Sequence, residues 1–497
     1  MAGRNRDRLD RIVSGTVSAD AAGGWRAVGR FWPLPGRLLR LLRAEVLLAL
    51  AAFAVLCVAV LAVAPQLVEP DDYAYRGSIV ALTDGYPLTL SNAQVGALAA
   101  QLADVGGGQV LAGPGPLGGG IEQWVQLSDG RWISEKDPGY PFLAGPFQAL
   151  GIIRLAPLFY GGLGCLGLFF GARRWLGRYG GAAAVGLFSS SGAALLFAWR
   201  DYMPTFTDAS LIAAGTGALL WALLAGEAAA RRRTWTGLLG FVAIEAAVFV
   251  RYTDIVVLGC VVLAVLAARW RRPASVPPGA AGWWLGSVAV FGAGVAVFDD
   301  VMYGGPFTSG YRAGEITFSL GAVGSNLRYM PAHLLQAMPM LLLGLLALAW
   351  IAARWAAERR AGRGQGGSDQ SSSEHGGAAS LDLAVGLALA ASWFGVWGLY
   401  AAYNWTTLPG LSSLQAVRFY LPAIGAISLL GAWLIARLTL RLPLRAPLAA
   451  VTAVAVVTVM FGLGIWSYTS MRTCPFTSIC MHGQLPPSAP GRSAAGG

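Results

Sequence analysis

The sequence predicts an all-α polytopic membrane protein of about eleven transmembrane helices. Three observations carry that expectation. Hydrophobic residues make up 56% of the chain and charged residues 12%, with a mean hydropathy of +0.57, more apolar surface than the polar skin of a soluble globule can hide. The apolar residues gather in runs close to the roughly 20 residues that span a hydrocarbon core. Arginines collect in alternate connections between those runs, as loops on the cytoplasmic side should.

In chain order, residues 1–43 form a basic cytoplasmic segment, and the first apolar run covers 44–64. Ala62-Val63-Ala64 resembles a signal cleavage site, but the run is long and follows more than forty polar residues, so it reads as an anchor. Further runs lie at 155–172, 180–198, 208–226, 236–250, 253–268, 280–298, 334–353, 381–401, 419–436 and 447–466. The pair 236–250 and 253–268 is short. Sidedness requires two spans there, because Arg231-Arg232-Arg233 and Arg269, Arg271 and Arg272 belong on one side. Their shared turn, Arg251-Tyr252-Thr253-Asp254, should then sit below the outer surface, where irregular backbone must line a polar cavity.

The same sidedness places Arg173, Arg174 and Arg178, Arg354, Arg359 and Arg360, and Arg437 and Arg441 inside. The net charge of +11 is therefore topology signal and attraction to anionic membrane lipid, and nucleic acid is excluded as a partner. Residues 44–353 are expected to form a front membrane block, 354–380 a flexible linker rich in Gly and Ser, 381–466 a rear block, and 467–497 an exported tail. Cys57, Cys165 and Cys260 fall within runs and read as small hydrophobes. Cys474 and Cys480 lie in the tail, open to pairing in an oxidising compartment. With the N-terminus inside, the C-terminus is exported across a plasma membrane.

The first exported loop, 65–154, is the chief functional candidate. It mixes short helix-like pieces with an alternating stretch around Asp129-Gly130, a hairpin signal. It opens on an acidic cluster, Glu69-Pro70-Asp71-Asp72-Tyr73-Ala74-Tyr75. Asp71-Asp72-x-x-Tyr75 resembles the Asp-[Asp/Glu]-x-x-Tyr pattern of GT-C membrane glycosyltransferases, a superfamily that includes protein O-mannosyltransferases and lipid A aminoarabinose transferase. Glu135-Lys136-Asp137-Pro138-Gly139-Tyr140-Pro141 is similar to the Lys-Pro-Pro or Pro-Gly-Tyr-Pro segment late in that family's first loop, with Asp137 interrupting it. Tyr202-Met203-Pro204, Arg251-Tyr252-Thr253, Ser309-Gly310-Tyr311 and Arg418-Phe419-Tyr420 fall where such proteins carry outer-edge motifs.

The resemblance implies a GT-C-like fold and inverting transfer of a sugar from a polyprenyl-phosphate-linked donor to a hydroxyl on a glycan, lipid or protein acceptor. Asp71 is then the expected general base, with Asp72 orienting the acceptor or sharing the proton. Tyr75, Lys136, Tyr140, Tyr202, Arg251, Tyr311 and Arg418 are the expected binding residues. Lys136 is the only lysine in the chain, a compact charge suited to a leaving phosphate. Blander roles stand beside these: the aspartates as helix caps, Lys136 as a solvated partner of Glu135, and Arg251 and Arg418 as interfacial anchors. No cofactor is expected, and no cluster with metal-ligand spacing is readable. A transporter or flippase of a lipid-linked glycan is the rival function, although the paired repeats common in transporters are missing. A non-catalytic scaffold is a second rival.

Overall fold

The computed structural model describes residues 44–63, 70–103, 121, 123–225, 229–271, 276–311, 317–364, 371–407, 414–441, 451, 455–456 and 458–466. Their elements in order are α1 Ala44–Leu61, α2 Pro70–Thr83, α3 Asn92–Ala103, β1 Trp124–Gln126, β2 Trp132–Ser134, α4 Gly139–Ala149, α5 Leu155–Leu176, α6 Gly180–Ser189, α7 Gly192–Ala198 and α8 Thr205–Leu224. There follow α9 Ala230–Val250, α10 Ile255–Arg271, α11 Pro278–Tyr303, α12 Leu320–Ala337, α13 Met340–Gly364, α14 Ser371–Ala401 and α15 Ile424–Arg441. Short 3₁₀ turns occupy Tyr252–Asp254, Asn404–Thr407 and Leu414–Ala423.

Among the described residues nine helices are long and apolar enough to cross a membrane, and the α6–α7 pair makes a tenth if counted as one bent span. The expected straight span 180–198 is broken, with a 63° bend. Its cause is local: Ser191 adopts an extended conformation and its hydroxyl accepts from the Ala194 N–H, so it starts a new helix. The run at 236–250 is longer than expected, because α9 begins at Ala230 and takes Arg231–Arg233 into its first turn. The eleventh expected span, 447–466, is described only in part, with 458–466 helical, and Glu69, Cys474 and Cys480 lie outside the described residues. Helix extends through 354–364 and resumes at 371 within the stretch expected as a linker.

Small residues let the central helices approach closely. On α5, Gly164 lies against the Ser210 backbone and Gly167 against that of Ala214, so α8 sits in a groove that any side chain would fill. Helix α8 is buried between α5 and α9, and α15 packs on α13 and α6. Lipid would meet α11, which turns Trp283, Val290, Val297 and Val301 outward.

Three buried acidic side chains inside the bundle have clear partners. Glu245 on α9 accepts from the Ser287 hydroxyl on α11 at 2.8 Å. Glu45 is fully buried and pairs with Arg173 at 3.1 Å and with Arg178. Asp382 collects Arg437 at 2.7 Å, Arg354 at 3.5 Å and the Trp175 indole N–H at 3.0 Å. These arginines stand at the bundle end where α5, α13 and α15 finish. The elements of the 65–154 loop stand at the other end, where α1 finishes and α8 begins.

The loop itself is ordered by the hairpin and by α2, α3 and α4. β1 and β2 pair antiparallel, with Val125 opposite Ile133, and Gly130 takes the left-handed conformation (φ +83°) that the Asp129-Gly130 signal predicts. Trp132 also exchanges backbone hydrogen bonds with Leu90, at 2.7 and 2.8 Å, tying the hairpin to the α2–α3 connection. Val80, Leu90, Leu98, Trp124 and Trp132 form a small core of their own beside the bundle.

Candidate active site

At the bundle end carrying the loop lies a cavity of about 160 Å³. Helix α2 contributes Asp71 and Tyr75, and the segment between β2 and α4 contributes Lys136 and Asp137. The turn between α9 and α10 supplies Arg251, Tyr252 and Thr253, although the two helices it joins are each long enough to cross a membrane rather than short. Ser309 and Tyr311 come from the loop after α11, and Phe318, Tyr400, Tyr403 and Phe419 form an aromatic wall.

Asp71 is held at both oxygens. Lys136 Nζ lies 3.1 Å from Oδ1 and Arg418 Nη2 lies 3.1 Å from Oδ2. Burial opposes its ionisation, but Lys136 and Arg418, helped by a hydrogen bond from Gln123, hold the carboxyl well below the usual carboxylate range. Gln123 takes a left-handed conformation (φ +55°) that L residues rarely adopt, local strain of the kind that gathers at functional sites.

Lys136 is itself buried and touches three oxygens: Asp71 Oδ1, Glu135 Oε1 at 3.2 Å and the Tyr311 hydroxyl at 3.4 Å. Burial works against its charge, and the carboxylates of Asp71 and Glu135 overcome that and keep it protonated above its ordinary value. Arg251 lies 3.4 Å from Asp208 on α8 and donates to the Arg418 carbonyl and the Thr205 hydroxyl, each at 3.3 Å. Its guanidinium faces the Phe419 ring at 5.8 Å, and that of Arg418 faces the same ring at 4.8 Å.

The expected site residues divide. Asp71, Tyr75, Lys136, Arg251 and Tyr311 line the cavity, and Arg418 reaches it through Asp71. Asp72 faces away: both its oxygens receive Arg200, Nη2 at 2.6 Å and Nε at 3.3 Å, in a fully buried pair. Tyr140 is buried behind Tyr75, ring to ring at 5.8 Å, and donates to the Asp201 carbonyl. Tyr202 donates to Gln148 at 3.1 Å, off the cavity wall. Gly139 explains the fit of α4, since a Cβ there would run into the backbone of Phe249 and Val250.

Four features escape sequence reasoning: Arg200, Gln123, the Tyr400–Tyr403–Phe419 wall and the position of Asp137 inside the cavity. Arg200 carried a signal, being an arginine at the end of a span that the charge pattern assigns to the exported side. Among the described residues no group of three or more His, Cys, Asp or Glu is placed to hold a metal ion.

No protein-family model matches the chain, and no curated protein does. Two solved structures superpose on most of it. The oligosaccharyltransferase of Archaeoglobus fulgidus, solved with zinc and sulfate, aligns at 13% identity with a TM-score of 0.48, covering 85% of this chain and 53% of that one. ArnT from Cupriavidus metallidurans, bound to undecaprenyl phosphate, aligns at 15% identity with a TM-score of 0.45, covering 86% of this chain and 64% of that one. The chain thus spans less than two thirds of either.

Proposed function

We propose that this protein is an inverting glycosyltransferase that moves a sugar from a polyprenyl-phosphate donor to a hydroxyl acceptor, in the cavity around Asp71 and on the exported face of the membrane. The observation that carries this reading is a carboxylate gripped by two cations, in a cavity with a third cation and a wall of aromatic rings. Such a set matches a sugar phosphodiester: rings for the sugar face, positive charge for the phosphate, and a base for the incoming hydroxyl.

The acceptor oxygen attacks the anomeric carbon as the bond from that carbon to the phosphate oxygen breaks. The bonding pair leaves with the phosphate, and the hydroxyl proton passes to Asp71. Direct displacement inverts the anomeric centre.

With Lys136 and Arg418 stabilising its charged form, Asp71 is ionised but a poor base. A bound phosphodiester competes for the same two cations, so its arrival raises the basicity of Asp71 toward the value that general-base catalysis needs. The resting ion pairs therefore keep the base ionised, and donor binding activates it.

The test is transfer of a radiolabelled sugar from a panel of polyprenyl-phosphoryl sugars in proteoliposomes. Asp71→Asn should lower turnover by about 10²–10⁴-fold, the usual contribution of a positioned base, without losing the fold. Unchanged turnover removes Asp71 as the base, and movement of intact lipid without transfer replaces the enzyme with a flippase.

A further inference from the structure

The cavity holds a second carboxyl group that the reading above leaves without a role. Asp137 lines it beside Lys136, yet among the described residues it makes no ion pair, in contrast to Asp71 with two. Among the described residues its one hydrogen bond is a long one, accepted by Oδ2 from the Tyr252 backbone N–H at 3.3 Å. An ionised carboxylate left in this position would repel any anion drawn in by Lys136 and Arg251. A protonated one would do the reverse, since the acid form gains an O–H donor.

We propose that Asp137 is a phosphate-binding residue that acts as a neutral carboxylic acid, donating its O–H to a non-bridging oxygen of the donor phosphodiester beside Lys136 and Arg251. The proposal rests on the cavity being a phosphodiester site. No proton leaves Asp137 in the reaction, and the hydrogen bond serves binding and orientation.

Burial is the main reason the acid form persists. It pushes the Asp137 carboxyl up to about 7, against the opposing pull of the Tyr252 N–H, Arg251 and Lys136, and Asp299 adds to the rise. The titratable and charged groups facing it are Lys136 on its own segment, Tyr75 on α2, Arg251, Tyr252 and Asp254 at the α9–α10 turn, Asp299 and Tyr303 on α11, and Tyr311 on the following loop. The sign follows. Below pH 7 the group is neutral and donates; as pH rises through 7 it ionises and repels the phosphate.

Binding of methyl undecaprenyl phosphate to the full chain in nanodiscs tests this. That phosphodiester keeps a single negative charge from pH 5.5 to 8.5, so the ligand does not titrate. The protonated fraction of Asp137 falls from about nine tenths at pH 6 to about one tenth at pH 8, which raises Kd about tenfold if only the acid form binds. Asp137→Asn, neutral at every pH and still a donor, should bind with a flat profile near the wild-type affinity at pH 6. Asp299→Asn should keep the pH dependence with its midpoint moved to lower pH, because Asp299 adds to the rise of the Asp137 carboxyl.

A flat wild-type profile overturns the proposal, and so does an Asp137→Asn variant that keeps the slope. Affinity that rises with pH and is lost in Asp137→Asn overturns it in favour of a base. Absence of binding at every pH overturns the phosphodiester reading of the cavity, and the role of Asp137 with it.

Discussion

Asp72→Asn removes the charge from one half of a pair shut away from solvent on both sides, the Asp72 side chain being 1% exposed and that of Arg200 0%. Arg200 cannot lose its proton, so the change weakens both of its hydrogen bonds to Asp72 while its charge stays in the interior. Breaking a buried pair in this way costs about 3–5 kcal/mol, whereas replacing both partners with apolar groups is often neutral. At about 1.4 kcal/mol per decade, the single change lowers the folding equilibrium by roughly two to three and a half decades. Asp72→Leu with Arg200→Met should return most of that. The assay is thermal unfolding in detergent followed with a thiol-reactive dye. Cys57, Cys165 and Cys260, which lie in helices, serve as reporters, in a background with Cys474→Ser and Cys480→Ser. If Asp72 only holds α2 to the segment before α8, the double variant recovers turnover along with stability. A double variant as stable as wild type but at least about 10²-fold slower would refute the argument and put Asp72 in the chemistry.

Two further outcomes follow from the clamp on Asp71. Arg418→Gln removes one cation, so the Asp71 carboxyl moves up toward the ordinary range and the acid limb of the pH–rate profile should move to higher pH; an unmoved limb would mean that Asp71 is not the titrating group. Lys136→Arg keeps the charge but replaces a three-donor ammonium that meets three oxygens with a planar fork, so steady-state kinetics should show a donor KM raised about tenfold or more; a KM within twofold of wild type would show that charge alone matters there.

The spans were legible because crossing a lipid core is a property of each segment by itself: about twenty apolar residues suffice whatever packs beside them. Where the reading slipped, a local polar contact redirected the chain, as at Ser191, whose hydroxyl starts a helix inside an apolar run. The site was legible in part for a related reason. Arg251, Lys136 and Asp71 could be assigned to one exported face by sidedness, but partners could not, since pairing depends on which way a helix is turned.

Helix α2 makes the point. Adjacent residues on a helix are rotated by about 100°, and here Asp71 faces the cavity while Asp72 faces Arg200. Tyr75, four residues after Asp71, lines the cavity with it, whereas Arg76, four after Asp72, is buried on the other side of the turn. Once residues 70–83 are known to be helical, the periodicity separates the two aspartates into a cavity carboxylate and an anchor. What no periodicity supplies is the third acid. Asp137 stands on irregular backbone between β2 and α4, and its surroundings come from α2, the α9–α10 turn and α11. Its chemistry is therefore a product of tertiary packing, and the pH dependence of binding is the property that reads it out.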